Sequence, residues 1–218
     1  MRIGQVHAAG FTGVGLGLVN PSVRVMELPM LVANYQEADA LAKKLQPKLS
    51  VGFEQKGFAL LGWAETGFVN VFSNKPIASL KDMSGMKMWA WEGDPLVEAM
   101  YRSFKIVPIP LPITDVLTSL QTHLIDAVYA SPLGAVALQW FTQVKFMSDL
   151  KLADATGGIL ITKTALGLMS PADQEILKST GQKYSKMLVE RTRADNEKSY
   201  TTLYNSGIKT IQVPPEEV

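Results

Sequence analysis

Between Glu37 and Gln55, Leu41, Leu45, Leu49 and Phe53 recur at every fourth position. That spacing aligns them on one face of a helix. Pro47 stands inside the stretch. A proline offers no N–H and crowds the preceding turn, so a kink or break is expected there. Shorter apolar runs have the length of strands: Ala59–Trp63, Phe68–Phe72, Met86–Trp91, Ile125–Tyr129, Val144–Met147 and Gly158–Thr162. Ile3–Ala9 alternates as a further strand, and Ile109–Leu111 and Ile208–Val213 read as short extended pieces. The glycine-rich stretch Gly10–Gly17 reads as flexible, or as backbone passing close to a neighbour. Asp94 followed by Pro95 has the form of an N-cap with a first-turn proline, opening a helix to about Phe104. Thr114–His123 and Pro132–Phe141 are further helices. Helices and strands alternate, which indicates an α/β architecture.

The last element is the longest. Ser170-Pro171-Ala172-Asp173 supplies a capping serine, a first-turn proline and an acid placed to cap back. Only Gly181 interrupts the helical composition before Gly207. About 35 residues at a rise of ~1.5 Å give a helix of roughly 50 Å. Such a helix either spans two lobes or breaks, with Gly181 the expected break point.

Charge and composition narrow the function. Lys and Arg number 21 against 20 Asp and Glu, so the net charge is +1 and the basic excess of a general nucleic-acid binder is missing. Apolar residues at 47% and charged residues at 19% describe a globular chain of 218 residues. Cysteine is absent, which excludes disulfides and thiolate metal sites. The glycine-rich segment Val6–Val19 is shorter than the ~20 apolar residues of a membrane helix. No basic start, apolar stretch and cleavage site follow one another at the beginning, so no export signal is visible.

Few residues point to chemistry. Gly10-x-x-Gly13-x-Gly15 follows a strand, but Asn20-Pro21 stands where a phosphate-binding helix would begin, which argues against nucleotide binding. There is neither a Gly-x-Ser-x-Gly elbow nor a His-Glu-x-x-His helix, so no enzyme activity, cofactor or metal is expected. His7, at a strand end, reads first as a structural residue and second as a ligand contact. His123 fits the closing of a helix. Trp89 and Trp91 share one side of a strand, with Glu92 just beyond. They form either a packed aromatic pair or the wall of a ligand crevice.

A succession of segments resembles the DctP-type periplasmic solute-binding subunits of TRAP transporters. These are Glu27-Leu28-Pro29-Met30-Leu31, Leu61-Gly62-Trp63 with Glu65-x-Gly67-Phe68, and Ser73-Asn74-Lys75-Pro76-Ile77. Ser79 to Lys87, Pro110 to Val116, Ser119 to Thr122, Ile125-Asp126 and Ser131-Pro132-Leu133 continue the series. The resemblance implies a two-lobed α/β fold of the type II periplasmic-binding-protein kind, with a long C-terminal helix and one solute held between the lobes. It implies residues 1–64 in an incomplete lobe I, 65–150 mainly in lobe II, and 151–218 returning to lobe I through a bridging helix. It also implies a periplasmic location, with the export signal and the first strand–helix units of lobe I missing.

Two positions depart from the family pattern. Arginines that clamp a solute carboxylate are implied where Trp89 and Val69 stand. Neither side chain can make paired charge-assisted bonds, so a more apolar or weakly charged solute is expected. The ligand-binding set is then Trp63, Val69, Trp89, Trp91, Glu92, Tyr129, Ser131 and His7, with Trp89, Trp91 and Tyr129 as an aromatic wall near Trp63. The implied partners are a small organic solute, the TRAP membrane permease and a tetratricopeptide-repeat protein. A shortened lobe with an open sheet edge also implies self-association. Two other classes stay open: an enzyme with paired acids in the cleft, and an interaction module working through the incomplete lobe.

Overall fold

A computed structural model describes Met1 and residues 3–217; Arg2 and Val218 lie outside the described residues. The strands are β1 (Ala8–Thr12), β2 (Phe58–Phe68), β3 (Asn70–Ser73), β4 (Trp89–Trp91), β5 (Ile109–Leu111), β6 (Ala127–Ala130), β7 (Phe146–Ser148), β8 (Asp154–Thr162) and β9 (Lys209–Ile211). The α-helices are α1 (Gly13–Val19), α2 (Tyr35–Gln55), α3 (Pro95–Ser103), α4 (Val116–Gln121), α5 (Pro132–Ala137), α6 (Lys163–Gly167) and α7 (Pro171–Asn205). The chain forms two compact units. The first comprises Met1–Gly67 and Ala153–Ala194, the second Phe68–Leu152 and Asp195–Val218. In these units the return to the first ends at Ala194, and Asp195–Val218 group with the second. The reason is pairing: β9 adds parallel to β7, joining the end of the chain to the second unit's sheet.

The first unit is built on a three-stranded sheet in the order β1-β8-β2, with β1 antiparallel to β8. Alternation along β2 divides its side chains. Phe58 and Leu60 join a core with Leu16, Val23, Leu49, Phe53 and Leu160. Ala59 and Leu61 join another with Ile161, Leu166 and Leu177. The sheet is thus covered on both faces, by α1, α2 and the 3-10 turn Pro21–Glu27 on one and by α6 and α7 on the other.

Two local expectations are corrected here. The stretch Gly10–Gly17 is regular structure, the end of β1 followed by α1. Its glycines serve close approach: a Cβ at Gly13 would overlap the Glu27 carboxylate, and one at Gly17 would sit 2.8 Å from Arg24 Cδ. Helix α2 runs unbroken through Pro47. Asn34 caps its start by accepting from Glu37 N–H at 2.9 Å, and Leu49 and Phe53, beyond the proline, are buried. Burial of that last turn and a half outweighs the one hydrogen bond that proline forfeits.

The second unit holds a four-stranded sheet, β6-β3-β7-β9, and the parallel pair β4-β5, joined by a bridge between Met88 and Ala127. β4 alternates as its sequence predicts. Trp89 and Trp91 face a core with Phe72, Val128 and Trp140, while Met88 and Ala90 face one with Val71 and Tyr101. Asp94 caps α3 by accepting from Leu96 N–H at 3.0 Å, with Pro95 in its first turn. His123 closes α4 in the left-handed region, at φ 55, and its N–H donates to Leu120 O.

Helix α7 is one element of 35 residues, capped at its start by Ser170, whose Oγ accepts from Asp173 N–H at 3.2 Å. It contributes residues to both units, the change falling between Ala194 and Asp195. Gly181 does not break it. A Cβ there would lie 2.7 Å from Leu61 O, so glycine is what lets the helix lie against β2.

Candidate functional site

In the second unit the aromatic residues form one cluster. Trp89 stacks on Tyr129 with centroids 4.7 Å apart, meets Trp140 edge-on at 5.3 Å, and lies 5.9 Å from Trp91. Its indole Nε1–H donates to Leu111 O at 3.0 Å. Trp89 is only 1% exposed, so its ring is spent on this cluster. Trp91 and Tyr129 are half-buried, and the Trp91 N–H donates to the Tyr129 hydroxyl at 3.0 Å. That bond holds the phenol against β4, and both residues stay partly exposed. Behind them Tyr101, buried, donates to Trp89 O, and burial pushes its phenol pKa up.

The other expected residues take distinct places. Ser131 is buried and caps α5, its Oγ accepting from Gly134 N–H at 3.2 Å. Glu92 is exposed, and Val69 is half-buried in the link between β2 and β3. Within the second unit, Trp89, Trp91 and Tyr129 are therefore brought together. Trp63 and His7 belong to the first unit: Trp63 tilts against Phe53 at 6.0 Å, and His7 is exposed, its carbonyl accepting from Thr162 N–H.

Sequence reasoning missed an ionic hub in the first unit. Arg193 of α7 donates through Nε and Nη2 to the Glu65 carboxylate of β2, at 2.6 and 2.9 Å. Its Nη1 and Nη2 donate to Asp39 of α2, at 3.0 and 2.7 Å, and its guanidinium lies 4.3 Å over the Tyr35 ring. The bond to Glu65 is the main cause raising the Arg193 pKa, and the bonds from Arg193 hold Asp39 below its ordinary value. Asp154 sits beside this hub with an Oδ1 that has no hydrogen-bond partner. Burial first, then the Glu65 charge, raise its pKa to about 7. Nearby, buried Glu27 pairs with Arg24 and accepts from Thr156 N–H at 2.7 Å. No local signal announces the hub, because its members are far apart in the chain.

Arg193, Glu65 and Asp154 border a groove of 1390 Å³ in the first unit, floored by β2 and walled by α2 and α7. Among the described residues no group of three or more His, Cys, Asp or Glu could hold a metal ion, and no helix is long and apolar enough to cross a membrane.

Helices on mixed sheets, in two units that share the terminal helix, place the chain in the class of type II periplasmic-binding-protein-like folds. Solved structures agree. The Bordetella pertussis extracytoplasmic solute receptor DctP7, solved binding pyroglutamic acid, matches with a TM-score of 0.92 at 22% identity, over 99% of this chain and 71% of its own. A TRAP periplasmic solute-binding protein from Sulfitobacter, solved with β-D-galacturonate, matches at 0.91 and 20%, over 97% and 71%. The sequence model of bacterial extracellular solute-binding protein family 7, DctP, matches residues 1–218, and the chain belongs to that family. Curated relatives include the 2,3-diketo-L-gulonate-binding periplasmic protein YiaO of Escherichia coli, 26% identical over 196 residues, covering 88% of this chain and 59% of the relative. A solute-binding protein of Verminephrobacter eiseniae is 28% identical over 199 residues, 88% of this chain and 57% of its own. The chain thus spans under three-fifths of the length of these curated relatives. The family comprises extracytoplasmic solute-binding receptors, not enzymes.

Proposed function

We propose that this chain is the solute-binding part of a periplasmic TRAP-type receptor that delivers a small, apolar or weakly charged organic solute to a membrane permease. What supports the solute class is that Trp89 and Val69 stand where the family resemblance implies carboxylate-clamping arginines. Trp89 is committed to a core stack, so no charged group stands at its place. The accessible parts of Trp91 and Tyr129 then supply flat apolar contact, with Ser131, Glu92 and Val69 as further contacts in their unit and Trp63 and His7 in the other.

Isothermal calorimetry tests this. Pyroglutamate, galacturonate and orotate, the acids named for solved relatives, are each compared with their uncharged amides. The acids are expected to bind no more tightly than the amides. Val69→Arg, at the half-buried position, should then favour the acid by tenfold or more, since a charge-assisted pair is worth about 1.5–3 kcal/mol. Sub-micromolar binding of any of these acids by the unaltered chain, with its amide silent, would refute the solute class.

A further inference from the structure

The chain passes between the two units three times, at Gly67–Phe68, Leu152–Ala153 and Ala194–Asp195. An ionisable side chain of the hub stands within two residues of each crossing: Glu65 at the first, Asp154 at the second and Arg193 at the third. We propose that Asp154 makes this connection proton-sensitive: protonated, it leaves the hub to hold the connecting segments, and ionised, it loosens them. The inference goes beyond the solute reading and does not rest on it.

Asp154 is the first residue of β8, so its carboxylate can reach water by the opening of a strand end rather than of the whole sheet. Two hydrogen bonds flank it and hold that end. Leu152 N–H, just before it, donates to Val69 O at 2.8 Å, and Thr156 N–H, just after it, donates to the Glu27 carboxylate at 2.7 Å. In this closed segment Asp154 Oδ1 has no hydrogen-bond partner. Among the described residues, the charges facing it are Glu65 on β2, Arg193 on α7, Glu27 in the turn Pro21–Glu27 and Asp39 on α2. Glu27 is paired with Arg24, and Lys151, ahead of the second crossing, lies 5.0 Å over the Phe68 ring. With Asp154 neutral, three carboxylates meet two guanidiniums; its ionisation adds a fourth carboxylate and no cation. Arg193 already commits four N–H donors to Glu65 and Asp39. The added charge is relieved by letting Asp154 out to solvent. Burial and the Glu65 charge raise its pKa to about 7, whereas an opened segment returns it to the ordinary 3.8. The opening equilibrium therefore climbs as pH rises between those values and levels off above them.

Native-state hydrogen exchange followed by NMR tests this, with the Leu152 and Thr156 amides as probes and the buried Leu160 and Ile161 of mid-β8 as references. After correction for intrinsic exchange, protection of the two probes should fall at least tenfold from pH 5 to pH 7.5. The fall should persist unchanged in low concentrations of urea, the mark of a local opening that exposes little surface. Asp154→Asn should abolish the pH dependence. Should that variant fail to fold, Glu65→Gln removes a charge that disfavours ionisation and should shrink the fall. An equal fall in Asp154→Asn, or an undiminished one in Glu65→Gln, overturns the proposal. So do probes that exchange at the rates and with the urea dependence of Leu160 and Ile161, because Asp154 would then act only on unfolding of the whole unit. None of these outcomes depends on solute binding.

Discussion

Replacing Arg193 by methionine isolates the hub that ties α7 to β2 and α2. The two arms differ in worth because they differ in exposure. On the Glu65 side the side chains are 22% and 9% exposed, and two short hydrogen bonds hold them. Removing the guanidinium leaves a buried carboxylate without that partner and beside Asp154, a loss of about 3–5 kcal/mol. On the other side Asp39 is 62% exposed, so solvent screens the pair and its loss costs about 0.5 kcal/mol or less. The contact with Tyr35 contributes about 0.5–1 kcal/mol. The Glu65 arm therefore decides the outcome, at roughly 4 kcal/mol in all. For a chain of this size each kcal/mol moves the melting midpoint by about 2–4 °C, so the expected fall is roughly 8–16 °C by circular dichroism. Arg193→Lys keeps the charge but not the fork and should lie between. The double variant Arg193→Met with Glu65→Leu should recover most of the loss, since an apolar pair of similar volume replaces a buried ion pair at little cost. A single variant that loses under 1 kcal/mol, or a double variant no better than the single, would refute the reasoning.

Asp154 gives the chain a pH dependence. With its pKa raised from 3.8 to about 7, the folded state holds a proton that the unfolded chain has already released, so this group's contribution to stability falls as pH rises through that window. Urea titrations from pH 4 to 8 should show the decline and Asp154→Asn should flatten it; an unchanged slope in the variant would discount the group. Gly181→Ala would stabilise an open helix by about 1 kcal/mol. Against Leu61 O at 2.7 Å the crowding, about 1–3 kcal/mol, should reverse the sign, and a raised melting midpoint would show that the contact yields.

The elements legible in the sequence were those set by local chemistry. The α2 stripe, the Asp94-Pro95 and Ser170-Pro171 helix starts, and the alternation of Trp89 and Trp91 each follow from neighbouring residues. Composition alone left alternatives open. Glycines at 13, 15 and 17 allowed flexibility or close approach, and they admit Glu27, Phe11 and Arg24 to the backbone of a short helix. Pro47 left a kink or a break open, and Gly181 a break or a helix shared by two lobes; both helices run unbroken, and α7 contributes residues to both units. For the site, the sequence placed two tryptophans on one side of a strand but did not distinguish a ring facing a ligand from one stacked on Tyr129 and Trp140. The Arg193 hub was invisible because Glu65 and Arg193 are 128 positions apart.

The strand order of the first unit also bears on how the chain is made. β8 lies between β1 and β2, yet it follows the whole first segment of the other unit, from Phe68 to Leu152. On the ribosome, β1 and β2 are complete long before the strand that joins them emerges. At about 5–20 residues per second the wait is on the order of ten seconds. During that interval β1 and β2 lack β8, the strand that lies between them, whereas the second unit has everything but its final helix end and β9. The order β1-β8-β2 can therefore close only after the first segment of the second unit has been made.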